Sequence, residues 1–373
     1  RDALYMTSSL IEIATENGWG NANTFLPYLA TLEQHAEAAP DYHRLQSYLD
    51  VKVKVLRGDV AAERQAKIDA ATAVMKRHAT LEEPGVRSAD IKEAIDRLRQ
   101  IPGTEAQVEQ LHVQLVQEQS RMMAYMAKIG TGMDVANQVR RAEDAVRGKL
   151  AGEALVALAI DFGAPTKADC QAGAMAESKS LRRQLFPSTL ISRSGKTVAV
   201  QAPVSGAPTP EELATMTLQY CVFSHSIIMA SSIEVARRIV HLEHNLQFSD
   251  FLELVRMTPF VPPQQRRMFA KGLLRGMEGR PDEASLLLAP LIESALRHCL
   301  EQHGIVVSSL NDEGIQKEWS IERVLDEPKA ADIFGADTVF CLRALLTAPE
   351  AGNFRNRVAH GLLSDGEASG ALA

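Results

Sequence analysis

The run Asn353-Phe354-Arg355-Asn356-Arg357-Val358-Ala359-His360-Gly361 sets an arginine and a histidine five positions apart in a stretch of helical character. Arginine stays charged at physiological pH and its planar fork fits phosphate oxygens, whereas histidine takes up and releases a proton near neutrality. Such a pair can hold or cut a phosphodiester. In metal-free RNA cleavage a base removes the proton of a ribose 2′-hydroxyl, that oxygen attacks the adjacent phosphorus, and a cation offsets charge on the equatorial oxygens. His360 is the candidate proton-transfer group, Arg355 the cation, and Asn356 the residue that orients His360 or binds phosphate.

Helical geometry constrains this reading. Positions five apart on a continuous helix lie about 140° apart around the axis and about 7.5 Å along it, so Arg355 and His360 do not share a face. Asn356 and His360 form the i,i+4 pair. Asn353 is expected to cap the helix, leaving Arg355 in a first turn whose free N–H groups favour an anion. Spacing alone equally fits a structural role, with Arg355 paired to an acidic neighbour and His360 capping backbone carbonyls.

Further polar residues fall at informative spacings. Glu293 and Arg297 are an i,i+4 pair of favourable orientation, either a structural salt bridge or a support near the cleft. Arg266, Arg267, Lys271 and Arg275, flanked by Arg256 and Arg280, form a basic cluster that reads as an RNA-backbone track or as a solvated helix face. His241-x-x-His244 brackets Glu243 without a third ligand at a recognisable spacing, and His298 and His303 read as helix-surface residues. Cys170, Cys221, Cys299 and Cys341 are widely separated singles with no C-x-x-C pair, so free thiols and no metal are expected. Gly272, Gly276 and Gly279 follow no strand and make no phosphate loop, and no cofactor is expected.

A formal net charge of −7 and a pI near 5.9 speak against sequence-independent coating of nucleic acid, without excluding a local basic site. Only 5% of residues are aromatic, which gives an aliphatic core and few platforms for stacking bases. No charged-then-apolar leader opens the chain. The weakly charged run Tyr220 to Ile233 contains Ser224, His225, Ser226, Ser231 and Ser232 and falls short of the roughly 18 apolar residues of a membrane span. A buried helix, no membrane association and a cytoplasmic location are the expectations.

Helical periodicity runs through the chain, as in Leu26, Leu29, Leu32 and Leu45, Leu49, Val53, Leu56, and predicts an all-α fold. Ala39-Pro40-Asp41, Arg57-Gly58-Asp59 and Glu83-Pro84-Gly85 mark helix ends, and short links imply successive antiparallel helices. A polar helix from Thr104 to Ile129 carries Val108, Leu111, Leu115, Met122 and Met126. Residues 1–185 are expected to form one helical domain, solenoid-like or bundled, with 186–210 as a Pro/Ser/Gly-rich linker in which Lys196 to Val200 reads as a short strand or an extended link. Residues 211–373 form the second domain, with helices from Pro210 to about His244, after Pro262-Pro263, from Glu283 to about His303, from Asp337 to Leu346 and from Phe354 to Leu363.

The string Arg355-Asn356-x-x-x-His360-Gly361 resembles the signature of a mainly bacterial, poorly characterised domain family that is itself similar to the HEPN superfamily of Arg-polar-…-His nucleases. About seventy positions upstream, Leu288-Ala289-Pro290-Leu291-Ile292-Glu293-Ser294-Ala295-Leu296-Arg297 is similar to the Pro-x-Leu-Glu-x-x-Leu-Arg helix of that family. It departs at Ala289 and at Ile292, where leucine is usual. The likeness covers residues 245–365, about a third of the chain.

The resemblance implies a compact HEPN-like bundle that dimerises, with two Arg-His motifs meeting across the interface in a composite cleft. By position it implies Arg355 and His360 as the catalytic pair with Asn356 as the polar partner, and an endoribonuclease active as a homodimer, as a toxin or phage-defence effector. The competing reading is a non-catalytic scaffold or nucleotide-binding dimerisation module whose N-terminal helices bind another protein. Nucleotidyl transfer lacks the Gly-Ser and paired-carboxylate pattern it needs.

Overall fold

The computed structural model describes residues 2–125, 132–192 and 196–363. Among the described residues the fold is all-α, with two small two-stranded sheets and no closed sheet. It divides into two compact units, Arg1–Gly130 with Ile191–Thr197, and Thr131–Leu190 with Val198–Ala373.

The N-terminal unit contains α1 (Asp2–Glu16), α2 (Ala22–Ala38), α3 (Tyr42–Val55), α4 (Val60–Ala79), α5 (Pro84–Leu98) and α6 (Glu105–Tyr125), and from α2 onward each helix packs on the next. The breakers act as the sequence suggests. Asp41 accepts from Arg44 N and Asp59 from Ala62 N, while Pro84 occupies a first-turn position whose missing N–H is no loss. Leu29, Leu32, Leu45, Tyr48, Leu49 and Val51 form its main core, each large side chain contributing about 1.5–3 kcal/mol by leaving water. Met126, expected on the α6 stripe, lies outside the described residues.

The C-terminal unit begins with α7 (Ala136–Val146), α8 (Ala151–Ile160), α9 (Lys167–Ser178) and α10 (Leu181–Leu185). The expected boundary at 186–210 is thus displaced to about 130. Ala142, Val146, Ala154 and Ala157 share a core with Ile239, Val240, Phe251 and Leu291, and burial of these faces ties α7 and α8 to the later helices. Segment 186–210 instead carries β1 (Ser188–Ile191) and β2 (Thr197–Gln201), so the β-branched run at Lys196–Val200 does pair.

Next come α11 (Pro210–Ile228) and, after a π-helical turn at Met229–Ile233, α12 (Glu234–Glu243). Thr209 and Glu212 cap α11 reciprocally. The continuous 34-residue run Pro210–Glu243 is long and apolar enough to cross a membrane by length and composition; the shorter run Tyr220 to Ile233, judged too short from sequence, lies inside it. It packs along α9, α7 and α8.

The remaining helices are α13 (Phe248–Arg256), α14 (Arg266–Met277), α15 (Pro281–Gln302), α16 (Ile321–Asp326), α17 (Ala330–Phe334), α18 (Ala336–Leu342) and α19 (Phe354–Ala359), with a second π-helical turn at Arg343–Thr347. A hairpin of β3 (Ser308–Leu310) and β4 (Gln316–Glu318) follows α15. The sequence reading missed it. Its signal was the Asn311-Asp312-Glu313-Gly314 turn, in which Asn311 Oδ1 accepts from the N–H groups of Glu313 and Ile315. Helix α15 serves two cores: Leu288, Leu291 and Ala295 face one, while Ile292, Leu296 and Leu300 face the other with Val307, Ile321 and Val324.

Candidate functional site

Helices α15 and α19 place the motif. Counting about 100° per residue along α15, Glu293 and Arg297 follow the Ile292–Leu296–Leu300 row around the helix, at the edge of the second core. Glu293 is buried. On α19, Phe354 packs into the same core and anchors the helix start.

Both ends of α19 are set by backbone chemistry written in the motif. Asn353 adopts φ 46° and ψ 30°, a left-handed conformation that asparagine tolerates better than most residues. At the other end Gly361 N donates to Val358 O at 3.2 Å and Leu362 N to Arg357 O at 2.8 Å, the paired bonds of a Schellman motif. Gly361 takes φ 64° there, which a side chain would resist. His360 is therefore the last half-helical residue, and the helix ends before the expected Leu363.

The side chains form one connected network. Glu293 accepts from Arg297 Nη1 at 2.8 Å and from Arg355 Nε at 2.9 Å. Arg297 Nη1 also donates to Trp319 O at 2.9 Å, fixing it against the segment after β4. Arg355 Nη1 donates to Asn356 Oδ1 at 3.1 Å, and Asn356 Nδ2 donates to Asn353 Oδ1 at 2.9 Å. One carboxylate thus serves two guanidinium groups, a local charge of +1 among the hydrogen-bonded members. Glu318 lies 3.7 Å from Arg297 Nε, beyond hydrogen-bond reach and largely exposed.

Five of the six motif and supporting residues, Arg355, Asn356, Asn353, Glu293 and Arg297, are brought together. His360 is exposed, and its imidazole makes no hydrogen bond among the described residues. Two expectations need correction. Asn353 makes no side-chain cap, because its Oδ1 is engaged by Asn356, and a six-residue helix offers no extended N-terminal anion site. Asn356 does not orient the imidazole, because both ends of its side-chain amide are held by Arg355 and Asn353; its main-chain carbonyl accepts the His360 backbone N–H, at 3.0 Å.

The basic cluster on α14 does not act as one track. Arg275 pairs with Glu278 and Glu283, and those carboxylates hold its pKa above the ordinary value. Arg267 stacks over the Phe248 ring at 5.3 Å. Arg266 is half-buried with an unpartnered Nε, and Lys271 is exposed.

A cavity of about 560 Å³ is lined by His241, Glu243, His244 and Gln247, and one of about 320 Å³ by Ser188, Gln201, Gln219 and Phe223. Neither touches Arg355, Asn356 or His360. His241 and His244 join no group of metal-ligating atoms among the described residues.

A different cluster does gather. Cys221 and His225 on α11 and Cys341 on α18 place one ligand atom each within 4.8 Å of the others, with Cys221 Sγ donating to Cys341 Sγ at 3.6 Å. Cys341 is the more acidic thiol, because Cys221 donates to it and, against the effect of burial, the neighbouring His225 favours its thiolate. Cys221 is pushed the opposite way by the same hydrogen bond and by burial. Sequence reading passed over this group by treating each cysteine alone. The signal was Cys221-x-x-x-His225, an i,i+4 pair on one helix face.

No protein-family model, curated protein or solved structure matches this chain.

Proposed function

We propose that the chain is a metal-independent endoribonuclease whose phosphodiester site is built on Arg355, Asn356 and His360 and completed by a second copy of the chain. The Glu293 clamp carries this reading. A buried carboxylate and the Asn356 amide hold the Arg355 guanidinium in place, and its Nη2 keeps no hydrogen-bond partner among the described residues. The exposed imidazole of His360 lies on the same short helix.

In the proposed reaction Arg355 Nη2 donates to a non-bridging phosphate oxygen and offsets charge as the 2′-oxygen attacks phosphorus. An imidazole takes the 2′-hydroxyl proton, and the 5′-oxygen leaves as an alcohol after receiving a proton. The products are a 2′,3′-cyclic phosphate and a 5′-hydroxyl. Because Arg355 and His360 diverge around the helix axis, His360 of one copy and Arg355 of another are the natural partners across a dimer. Neither cavity described above meets the motif, which fits a cleft that two chains make together. A role as toxin or phage-defence effector would follow from RNA cleavage of this kind.

One observation favours a second reading. The Arg355–Glu293 ion pair at 2.9 Å also suits a strut joining α19 to α15, as in a non-catalytic scaffold or nucleotide-binding module. Incubating the purified chain with RNA in excess chelator separates the two. Fragments ending in 2′,3′-cyclic phosphate are expected; binding of RNA or mononucleotides without turnover would favour the scaffold.

A further inference from the structure

The cluster at Cys221, His225 and Cys341 lies on other elements than the motif and is independent of the ribonuclease reading. Three helices converge there. Helix α9 brings Cys170, α11 brings Cys221 and His225 one turn apart, and α18 brings Cys341; Phe340, Ala344, Leu218, Tyr220 and Val222 surround the sulfur atoms with apolar groups. Cys170, Cys221 and Cys341 are all buried.

We propose that this cluster is a zinc site, with Cys221, His225 and Cys341 as ligands and the fourth position open. In tetrahedral coordination with Zn–S near ~2.3 Å, two sulfur ligands stand about 3.8 Å apart, close to the separation seen here. The Cys221–Cys341 distance is 3.6 Å, so the pair reaches that edge length with little movement. It is far from a disulfide, whose sulfur atoms stand about 2.05 Å apart.

A second observation points to a missing partner. His225 Nε2 is buried and makes no hydrogen bond, an arrangement that is unfavourable for an imidazole unless something accepts its proton or takes its lone pair. Cys341 Sγ lies 3.3 Å from Pro165 O, which is the acceptor for its proton when no metal is bound.

Thiolate and imidazole donors in a tetrahedral arrangement select zinc over magnesium or calcium, which take oxygen ligands. Binding releases the thiol protons to solvent and leaves the zinc charge offset by the thiolates in the apolar pocket. The ion is held by three protein donors on two helices, with the fourth position left to water or a ligand. It would fasten α18 to α11, and α18 leads through the Arg343–Thr347 π-turn to Asn353 and the start of α19.

The test is metal analysis of the full chain, purified reduced and without chelator, then dialysed against zinc-free buffer. About one zinc per chain is expected, and exchange with cobalt should give the intense visible bands of a tetrahedral thiolate site. Cys221→Ser and Cys341→Ser should each lose the metal, whereas Cys299→Ser, on α15 and outside the cluster, should keep it. Because loss of a buried cysteine can also unfold the chain, the cobalt spectrum of the unmodified chain stands as the independent reading. A reduced, folded chain that takes up neither zinc nor cobalt overturns the proposal, as does isolation with Cys221 and Cys341 joined by a disulfide.

Discussion

Two arginine–carboxylate networks in this chain have opposite charge balances. In the N-terminal unit, Arg77 grips Asp90 with two nitrogens, at 2.6 and 3.0 Å, and also reaches Glu93 at 2.7 Å and Gln46 at 2.8 Å. Arg97 joins Glu93 to Asp50. Two cations meet three carboxylates, and the guanidinium of Arg77 is largely enclosed. In the C-terminal unit, two cations share the single carboxylate of Glu293, and Arg355 is about a third exposed. The first network is electrostatically closed and belongs to folding. Among its hydrogen-bonded members the second retains positive charge, with the exposed Glu318 a further carboxylate 3.7 Å from Arg297 Nε, and its Arg355 guanidinium is the group proposed to receive an anion.

The largest contrast should come from Arg77→Ala, which strands Asp90 in a buried position and is expected to destabilise the N-terminal unit by about 3–5 kcal/mol. Trp19 lies in that unit and Trp319 in the other, so urea unfolding of Trp19→Phe and Trp319→Phe backgrounds reads the two separately. Loss confined to the Trp19 signal is expected. Equal losses in both units would erase the distinction.

Glu293→Gln removes the charge that two arginines share. A loss of about 1.5–3 kcal/mol in the C-terminal unit is expected, the range for hydrogen bonds to charged groups. If unfolding of that unit is unchanged, Glu293 does not anchor the site. Gly361→Ala, at a left-handed position, should cost about 1 kcal/mol and disturb the helix end that presents His360; calorimetry that shows a gain in stability would contradict the Schellman assignment.

The smallest expected difference is in pH dependence. Burial works against ionisation of Glu93, but Arg77 and Arg97 outweigh it and hold its carboxyl below the usual range. A lowered folded-state pKa means stabilisation that is present above the unfolded value of about 4.3 and lost as pH falls through the folded one. The Trp19-reported transition should therefore weaken below about pH 4, and Glu93→Gln should flatten that dependence. An unaltered acid limb in the variant would remove Glu93 from the network's energetics.

Much of this organisation was legible in the chain. Capping residues such as Asp41, Asp59 and Thr209 and the breakers Pro84 and Pro281 act locally, so helix ends could be read from sequence. The boundary could not, because Ala142, Val146, Ala154 and Ala157 choose partners a hundred positions away by burial alone. At the site, the pairing of Glu293 with Arg297 was visible as an i,i+4 spacing, and the possibility of an acidic partner for Arg355 was open. That the same Glu293 would serve both arginines depends on α15 meeting α19 across 62 positions. The gathering of Cys221, His225 and Cys341 was hidden for the same reason, since Cys341 arrives 120 positions after Cys221.

The central claim is that the open network works on RNA through His360. His360 is exposed and its imidazole makes no hydrogen bond among the described residues, so His360→Ala should leave unfolding of the C-terminal unit unchanged. RNA cleavage measured on the same preparation is expected to fall at least about a hundredfold, the scale of removing a general acid–base group. Undiminished cleavage by a folded His360→Ala chain would contradict the assignment.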